Sequence, residues 1–252
     1  MDLNNYHVED GFYVISPFSD SFSKEYLALR KKENRILSNE EVQQLPRARK
    51  SNPHYKEWKI RQKTTRRFIT YLLNKKPNQK ILDIGCGNGW FSNKMAINNN
   101  EVIGLDINRL ELKQAVACFK KENLDFAFSD LFTEDTVFHN QFNIITLNAS
   151  VQYFKDFGLL INQLKKFLKP KGEIHILDSP FYVNSEIHKA KKRTLAYYTK
   201  IGFPKMAQYY FHHSKEHIMD FDILYKPKSS LYKKILRQKD SPFMWVRYNL
   251  ET

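Results

Sequence analysis

Three features of the chain predict an α/β fold built on a doubly wound, mostly parallel sheet. Between residues 79 and 178, short apolar runs rich in Ile and Leu alternate with amphipathic helical stretches. The first run ends in a cluster of glycines, Gly85, Gly87 and Gly89. The last helical stretch, Phe157, Leu160, Ile161, Leu164, Phe167 and Leu168, is a continuous apolar stripe. Apolar strands separated by helices are buried on both faces of a parallel sheet, and their crossovers are right-handed.

The elements follow in order. Phe12-Tyr13-Val14-Ile15 is a short β-type run in an otherwise irregular first 55 residues. Ser38-Asn39-Glu40-Glu41 is a capping box that opens a short helix, stopped by Pro46. From Lys56, the spacing of Trp58, Arg61, Thr65, Phe68, Ile69, Leu72 and Leu73 puts them on one helical face. Residues 80–84 form the first buried strand, Trp90 to Ile97 a helix, and Glu101 to Asp106 the second strand. Leu112, Ala115, Val116 and Phe119 mark the next helix, 125–128 a third strand and 142–148 a fourth. Pro170 and Gly172 close the striped helix, and Glu173 to Asp178 is the fifth strand. Beyond it come a helix at about 185–200, a loop at Gly202-Phe203-Pro204 and a further helical piece. Two late strands, 222–225 and 243–248, flank a basic segment, 228–239.

At 252 residues the chain accommodates one or two domains and can bury about 70–75% of its unfolded surface without a disulfide or metal staple. Its 42% hydrophobic and 27% charged content excludes wholesale disorder, collagen and coiled coil. No apolar run has the length of a membrane span, and the N-terminus lacks the pattern of a signal peptide. Cys86 and Cys118 are the two cysteines, so neither a disulfide framework nor a zinc set is expected. The expected location is a reducing cytoplasm. The net charge of +14 is uneven: +7 over residues 1–78, −1 over 79–180 and +8 over 181–252. Basic flanks suit an anionic substrate, membrane surface or nucleic acid; a Lys-, Asn- and Ile-rich composition accounts for them equally.

The stretch Ile81-Leu82-Asp83-Ile84-Gly85-Cys86-Gly87-Asn88-Gly89-Trp90 carries most of the functional information. A glycine turn after the first strand brings backbone close to a nucleotide. The dinucleotide fingerprint requires a third glycine where Trp90 stands, which weighs against NAD or FAD, and no P-loop Gly-Lys-Ser/Thr follows. Asp83, two residues before the first glycine, suits a cationic ligand and repels a pyrophosphate. Asp106, 17 residues past Gly89, offers acceptors for both hydroxyls of a ribose, or caps the helix that follows. Asp130, after the third strand, can accept an exocyclic amine or sit in a solvated turn.

These residues resemble the class I S-adenosylmethionine-dependent methyltransferases over about 58–180. The resemblance rests on Leu82 to Gly89, on Asp106 and Asp130, on Phe142-Asn143-Ile144-Ile145, and on Leu168-Lys169-Pro170-Lys171-Gly172-Glu173. It implies a Rossmann-like seven-stranded sheet of order 3-2-1-4-5-7-6 with strand 7 antiparallel, and S-adenosylmethionine as cofactor. By analogy Gly85, Cys86, Gly87, Asn88 and Gly89 hold the methionine end and Asp83 lies near its amino group. Asp106 takes the ribose, Ile107 packs on the adenine, and Asp130, Leu131 and Asn148 complete the cofactor set. Asn143 departs from the family's usual Asp at a position expected to be structural. Residues 1–55 are then a helical N-terminal extension or lid. Residues 56–252 are the methyltransferase domain, with a core at 79–180 and a substrate-facing part at 181–252.

A sulfonium methyl needs mainly alignment and exclusion of water, with a general base only for acceptors such as a hydroxyl. Candidate catalytic groups are therefore drawn from strand ends and the aromatic cluster: Tyr153, Asp178, His212 and His213. The His pair suits a base or metal ligands, or an ordinary polar-aromatic turn; no metal is expected. Arg61 can bind the cofactor carboxylate or pack on the surface. Asp178-Ser179-Pro180-Phe181-Tyr182 superficially matches an amino-group DNA methylation motif, but follows the wrong strand; Asn148-Ala149-Ser150 occupies the motif's place. The expected acceptor is a small molecule or lipid, anionic in one version. An RNA or protein acceptor using the basic flanks is the alternative, and a non-catalytic binding protein a third. The acceptor's identity and the oligomeric state are not legible.

Overall fold

The computed structural model describes residues 3, 5–16, 22–132, 137–227 and 240–251. The chain opens with a hairpin, β1 (His7–Glu9) and β2 (Phe12–Val14), followed by α1 (Phe22–Lys32), α2 (Asn39–Gln44) and α3 (Tyr55–Leu73). The alternating core is β3 (Lys80–Ile84), α4 (Trp90–Met95), β4 (Glu101–Asp106), α5 (Arg109–Cys118), β5 (Leu124–Phe128), β6 (Phe142–Asn148), α6 (Phe157–Phe167) and β7 (Leu168–Leu177). Next come β8 (Phe181–Tyr182), α7 (Asn184–Lys200), β9 (His213–Ser214), β10 (Asp222–Tyr225) and β11 (Trp245–Asn249). The basic segment 228–239 lies outside the described residues.

Among the described residues the main sheet has nine strands, where the resemblance implies seven. Their order is β1-β2-β5-β4-β3-β6-β7-β11-β10. The run from β5 to β10 follows the expected order, with β11 antiparallel to β7. The two additional strands are the N-terminal hairpin, whose β2 pairs parallel to β5 through Tyr13 with Ala127 and Val14 with Phe128. The run at Phe12 is therefore part of the main sheet, which its sequence separation from β5 concealed. β7 also begins earlier than expected: α6 ends at Phe167 and the chain continues directly as strand, with a register irregularity against β6 between Phe142 and Ile144.

Alternation along the strands sends side chains to two cores. On one face Leu82, Ile84, Ile145 and Leu147 pack with the stripe of α6, Leu160, Ile161, Leu164 and Phe167. On the other, Ile81, Val102, Phe126 and Phe128 pack with Phe68 and Leu72 of α3, Phe91 and Met95 of α4 and Leu112 of α5. Phe68 is fully buried at the centre, with its ring 5.6 Å from Phe91, 5.2 Å from His175 and 5.7 Å from Trp245. Leu73, expected on this face, is 57% exposed while Leu72 beside it is 1% exposed; one residue is about 100° round the helix, which carries Leu73 off the buried stripe.

Local signals hold the periphery. Ser38 Oγ accepts from Glu41 N and Ser38 N donates to Glu41 Oε2, completing the capping box of α2. Ser38→Ala is expected to cost about 1 kcal/mol, read as a fall in Tm of about 2–4 °C. Asn143 Oδ1 accepts from Lys80 N at 3.0 Å and so ties β6 to the start of β3, the structural role expected for this position.

Candidate active site

The carboxyl ends of β3, β4, β5 and β6 open on one cavity of about 1040 Å³, at the top of the range for ligand sites. Gly85 leaves β3 with φ +70, and a Cβ there would stand 2.6 Å from Ser150 Cβ. Only glycine lets the turn lie against the loop after β6. The turn is pinned by Gly85 N and Cys86 N, which donate to Leu105 O at 2.8 and 3.1 Å. Ser150 Oγ donates to Ile84 O at 2.7 Å.

Asp106 is not the cap of α5. Asn108 is the cap: its Oδ1 accepts from Leu110 N and Glu111 N. That frees Asp106 to brace the glycine turn, its Oδ2 accepting from Gly87 N and its Oδ1 from Asn108 N, both at 2.8 Å. Asp83 lies beneath the turn, 1% exposed. Its two oxygens accept from Ser92 Oγ at 2.6 Å and Thr146 Oγ1 at 2.8 Å, which ties the end of β3 to α4 and β6. Burial pushes its carboxyl up to about 6 against those two hydrogen bonds. Asp130 Oδ1 accepts from Phe132 N at 3.0 Å, and Asp130 N donates to Ser16 Oγ at 3.0 Å.

Of the twelve expected cofactor residues, eleven line this cavity: Asp83, Gly85, Cys86, Gly87, Asn88, Asp106, Ile107, Asp130, Leu131, Asn148 and Arg61. Gly89 does not; it sits at the start of α4 against Phe126 and Ala115. Asn148 Oδ1 is enclosed with no hydrogen-bond partner, an orphaned acceptor at the end of β6 that a ligand ammonium group would satisfy. Arg61 Nε donates to Glu57 Oε1 at 3.1 Å and its guanidinium lies 5.4 Å from the Trp58 ring. The donor set, with acids for hydroxyls and an open carbonyl for a cation, fits S-adenosylmethionine.

The catalytic candidates divide. Tyr153 and Asp178 line the cavity, whereas His212 and His213 do not. Asp178 Oδ1 accepts from Thr64 Oγ1 at 3.0 Å, and burial raises its carboxyl above the usual range. Burial also raises the Tyr153 phenol, which stays neutral. His212 Nε2 meets Thr194 Oγ1 at 2.9 Å and His213 Nε2 meets Val151 O at 3.1 Å; burial lowers both rings, so they are neutral near pH 7. Among the described residues no group of three or more His, Cys, Asp or Glu side chains can hold a metal.

Sequence reasoning missed Arg30 and Glu111, which also line the cavity. Neither carries a motif signal, and Arg30 reaches the site only because α1 folds over it. Burial pushes the Glu111 carboxyl up to about 7, with Arg30 opposing and Asp106 reinforcing. The folded chain thus keeps a proton that the unfolded chain releases near its ordinary 4.5. That contribution to stability is full below 4.5 and lost as pH rises through 7. Glu111→Gln has no proton to lose. Its stability relative to the parent is expected to rise by about 2–3 kcal/mol from about pH 5 to about pH 8, read from paired melting curves.

A mostly parallel sheet with a glycine turn after its first core strand and an acid at the end of the second defines a nucleoside-binding α/β protein. The family model described as "Methyltransferase domain" matches residues 75–239, and the chain belongs to this family of class I S-adenosylmethionine methyltransferase domains. It is 35% identical over 118 residues to phosphoethanolamine N-methyltransferase of Triticum aestivum, covering 46% of this chain and 23% of the relative. It is 27% identical over 134 residues to malonyl-[acyl-carrier protein] O-methyltransferase of Acetivibrio thermocellus, covering 52% and 46%. The chain thus spans less than half the length of either curated relative. Among solved structures, an S-adenosylmethionine dependent methyltransferase from Mesorhizobium loti superposes with TM-score 0.51 at 15% identity, covering 77% of this chain and 97% of that one. Haemonchus contortus phosphoethanolamine N-methyltransferase 2, in complex with S-adenosyl-L-methionine, superposes with TM-score 0.51 at 19% identity, covering 80% and 49%. These superpositions bear on the fold.

Proposed function

We propose that the chain binds S-adenosylmethionine and transfers its methyl group to a small-molecule or lipid acceptor. The observation that carries this reading is the convergence of the glycine turn, Asp106, Asp130 and the orphaned Asn148 carbonyl on one cavity that continues into an aromatic chamber. When bound, the cofactor supplies a methyl activated by a sulfonium, so the protein's part is to orient and to exclude water. Asp106 receives the ribose hydroxyls, Ile107 and Leu131 enclose the base, Asn148 Oδ1 receives the amino group and Arg61 faces the carboxylate. Asp178 is the group placed to take a proton from a hydroxyl acceptor. Within the 1–55 extension the hairpin belongs to the main sheet, and the helices after it serve as a lid on a methyltransferase domain at 56–252, its core at 79–180 and its acceptor side at 181–252.

No helix among the described residues is long and apolar enough to cross a membrane, so a lipid acceptor would be approached from the aqueous side. Isothermal titration with S-adenosylmethionine and S-adenosylhomocysteine, with NAD as control, tests the reading. Micromolar binding of both adenosyl ligands and none of NAD is expected. Failure of both to bind to folded protein would remove it.

A further inference from the structure

The acceptor side of the cavity is roofed by α1, by α7 and by the 204–209 turn. Leu29 of α1 packs with Tyr198 and Met206, flanked by Tyr26, Tyr209 and Tyr210. Beneath this roof the rings run as a chain of edge contacts. Tyr26 lies 5.8 Å from Tyr153 at 86°, Tyr153 lies 6.2 Å from Tyr210 at 80°, and Tyr210 lies 6.4 Å from Tyr198 at 62°. Burial raises all four phenols, so none becomes an anion near neutral pH.

Into this chamber projects one guanidinium. Three arginines line the cavity. Arg35 pairs with Glu57 at 2.8 Å, and Arg61 pairs with the same carboxylate at 3.1 Å. Arg30 forms no ion pair with a described residue; its guanidinium lies 5.7 Å from the Tyr26 ring, and its Nε is enclosed without any partner. Arg30 is half-buried, and its enclosed Nε is a donor costly to leave unused; an anion is the group that satisfies a guanidinium bidentately. Glu111 and Glu33 are the acids that act on Arg30, and Asp106 joins Glu111 in acting on the adjoining Tyr26. Burial raises both the Asp106 and the Glu111 carboxyl, Glu111 to about 7, which lowers the negative charge they present near neutral pH.

We propose that the acceptor is a flat, largely apolar molecule bearing a carboxylate or phosphate. Arg30 takes the anionic group, and Tyr26, Tyr153, Tyr198 and Tyr210 enclose the body. This inference rests on the methyltransferase reading and deepens it.

The test uses the whole chain saturated with S-adenosylhomocysteine and titrated with benzoate, phenyl phosphate, benzamide and benzyltrimethylammonium. The two anions are expected to bind at least about tenfold tighter than the neutral and cationic probes. The stronger of the two tells carboxylate from phosphate. Arg30→Gln is expected to abolish that preference and Arg30→Lys to keep part of it. Affinity for S-adenosylhomocysteine should be unchanged in both variants, which also shows that they fold. The inference is overturned if the anions show no preference, or if the preference survives Arg30→Gln. It is also overturned if Arg30→Gln weakens S-adenosylhomocysteine as much as the anions, which would make Arg30 a cofactor ligand. Tighter binding of the cation than of the anions would make the tyrosines a cage for an ammonium instead. If S-adenosylhomocysteine does not bind the parent protein at all, the methyltransferase reading fails and this inference fails with it.

Discussion

Gly89→Ala is expected to destabilise the protein by about 2–5 kcal/mol, lowering Tm by roughly 5–15 °C. Two costs add. Gly89 has φ +73, a left-handed conformation that costs an L-residue about 1–2 kcal/mol. A Cβ there would also stand 2.5 Å from Phe126 Cζ and 2.8 Å from Ala115 Cβ. Both neighbours are buried, in β5 and α5, so relief requires moving a strand or a helix, and overpacking of this kind costs about 1–3 kcal/mol. Gly202→Ala separates the two terms. Gly202 has φ +90 with nothing within 4 Å of its Cβ position, so only backbone strain applies. Equal losses for the two variants in thermal melts would show that the close approach of α4 to Phe126 is not tight.

Asp106→Ala is expected to weaken S-adenosylmethionine binding by about 1–3 kcal/mol, or about five- to 150-fold. The carboxylate is set at the end of β4 by hydrogen bonds from Gly87 N and Asn108 N, each of which uses one oxygen once. Each oxygen therefore keeps lone-pair capacity for a ribose hydroxyl. Removing the group takes away those charge-assisted bonds and leaves two backbone N–H groups without their acceptor. Asp106→Asn should lose less, because one carbonyl oxygen remains. Titration calorimetry on the three proteins gives the order directly, and an unchanged affinity for Asp106→Ala would place the ribose elsewhere.

The cofactor side was far more legible than the acceptor side, and particular residues show why. Gly85 to Gly89, Asp106 and Asp130 lie at the ends of strands whose apolar runs announce them, so spacing alone brings them near one another. Asp106 had two readings in isolation, and Asn108, two residues on, decided between them by taking the cap. His212 and His213 looked chemically rich as a pair, yet their rings hydrogen-bond to Thr194 and Val151 away from the cavity. Adjacency in a turn does not say which way a ring faces.

Local rules operate over a few residues, and they determined the strand-helix alternation, the capping box at Ser38 and the glycine turn; the class of cofactor came from the resemblance that these motifs carry. Long-range pairing decided the rest. The hairpin at 7–14 became part of the main sheet by pairing with β5, more than a hundred residues away. Leu73 turned to solvent because it lies about 100° round α3 from Leu72, which the core covers. Helix α1 has little apolar stripe of its own; Leu29 is its one fully covered side chain among those described, and its partners Tyr198 and Met206 lie far along the chain. Phe22, Tyr26 and Leu29 are spaced as a helix requires, but three residues do not say what they pack against, so the roof of the chamber, and Arg30 within it, was decided by tertiary packing.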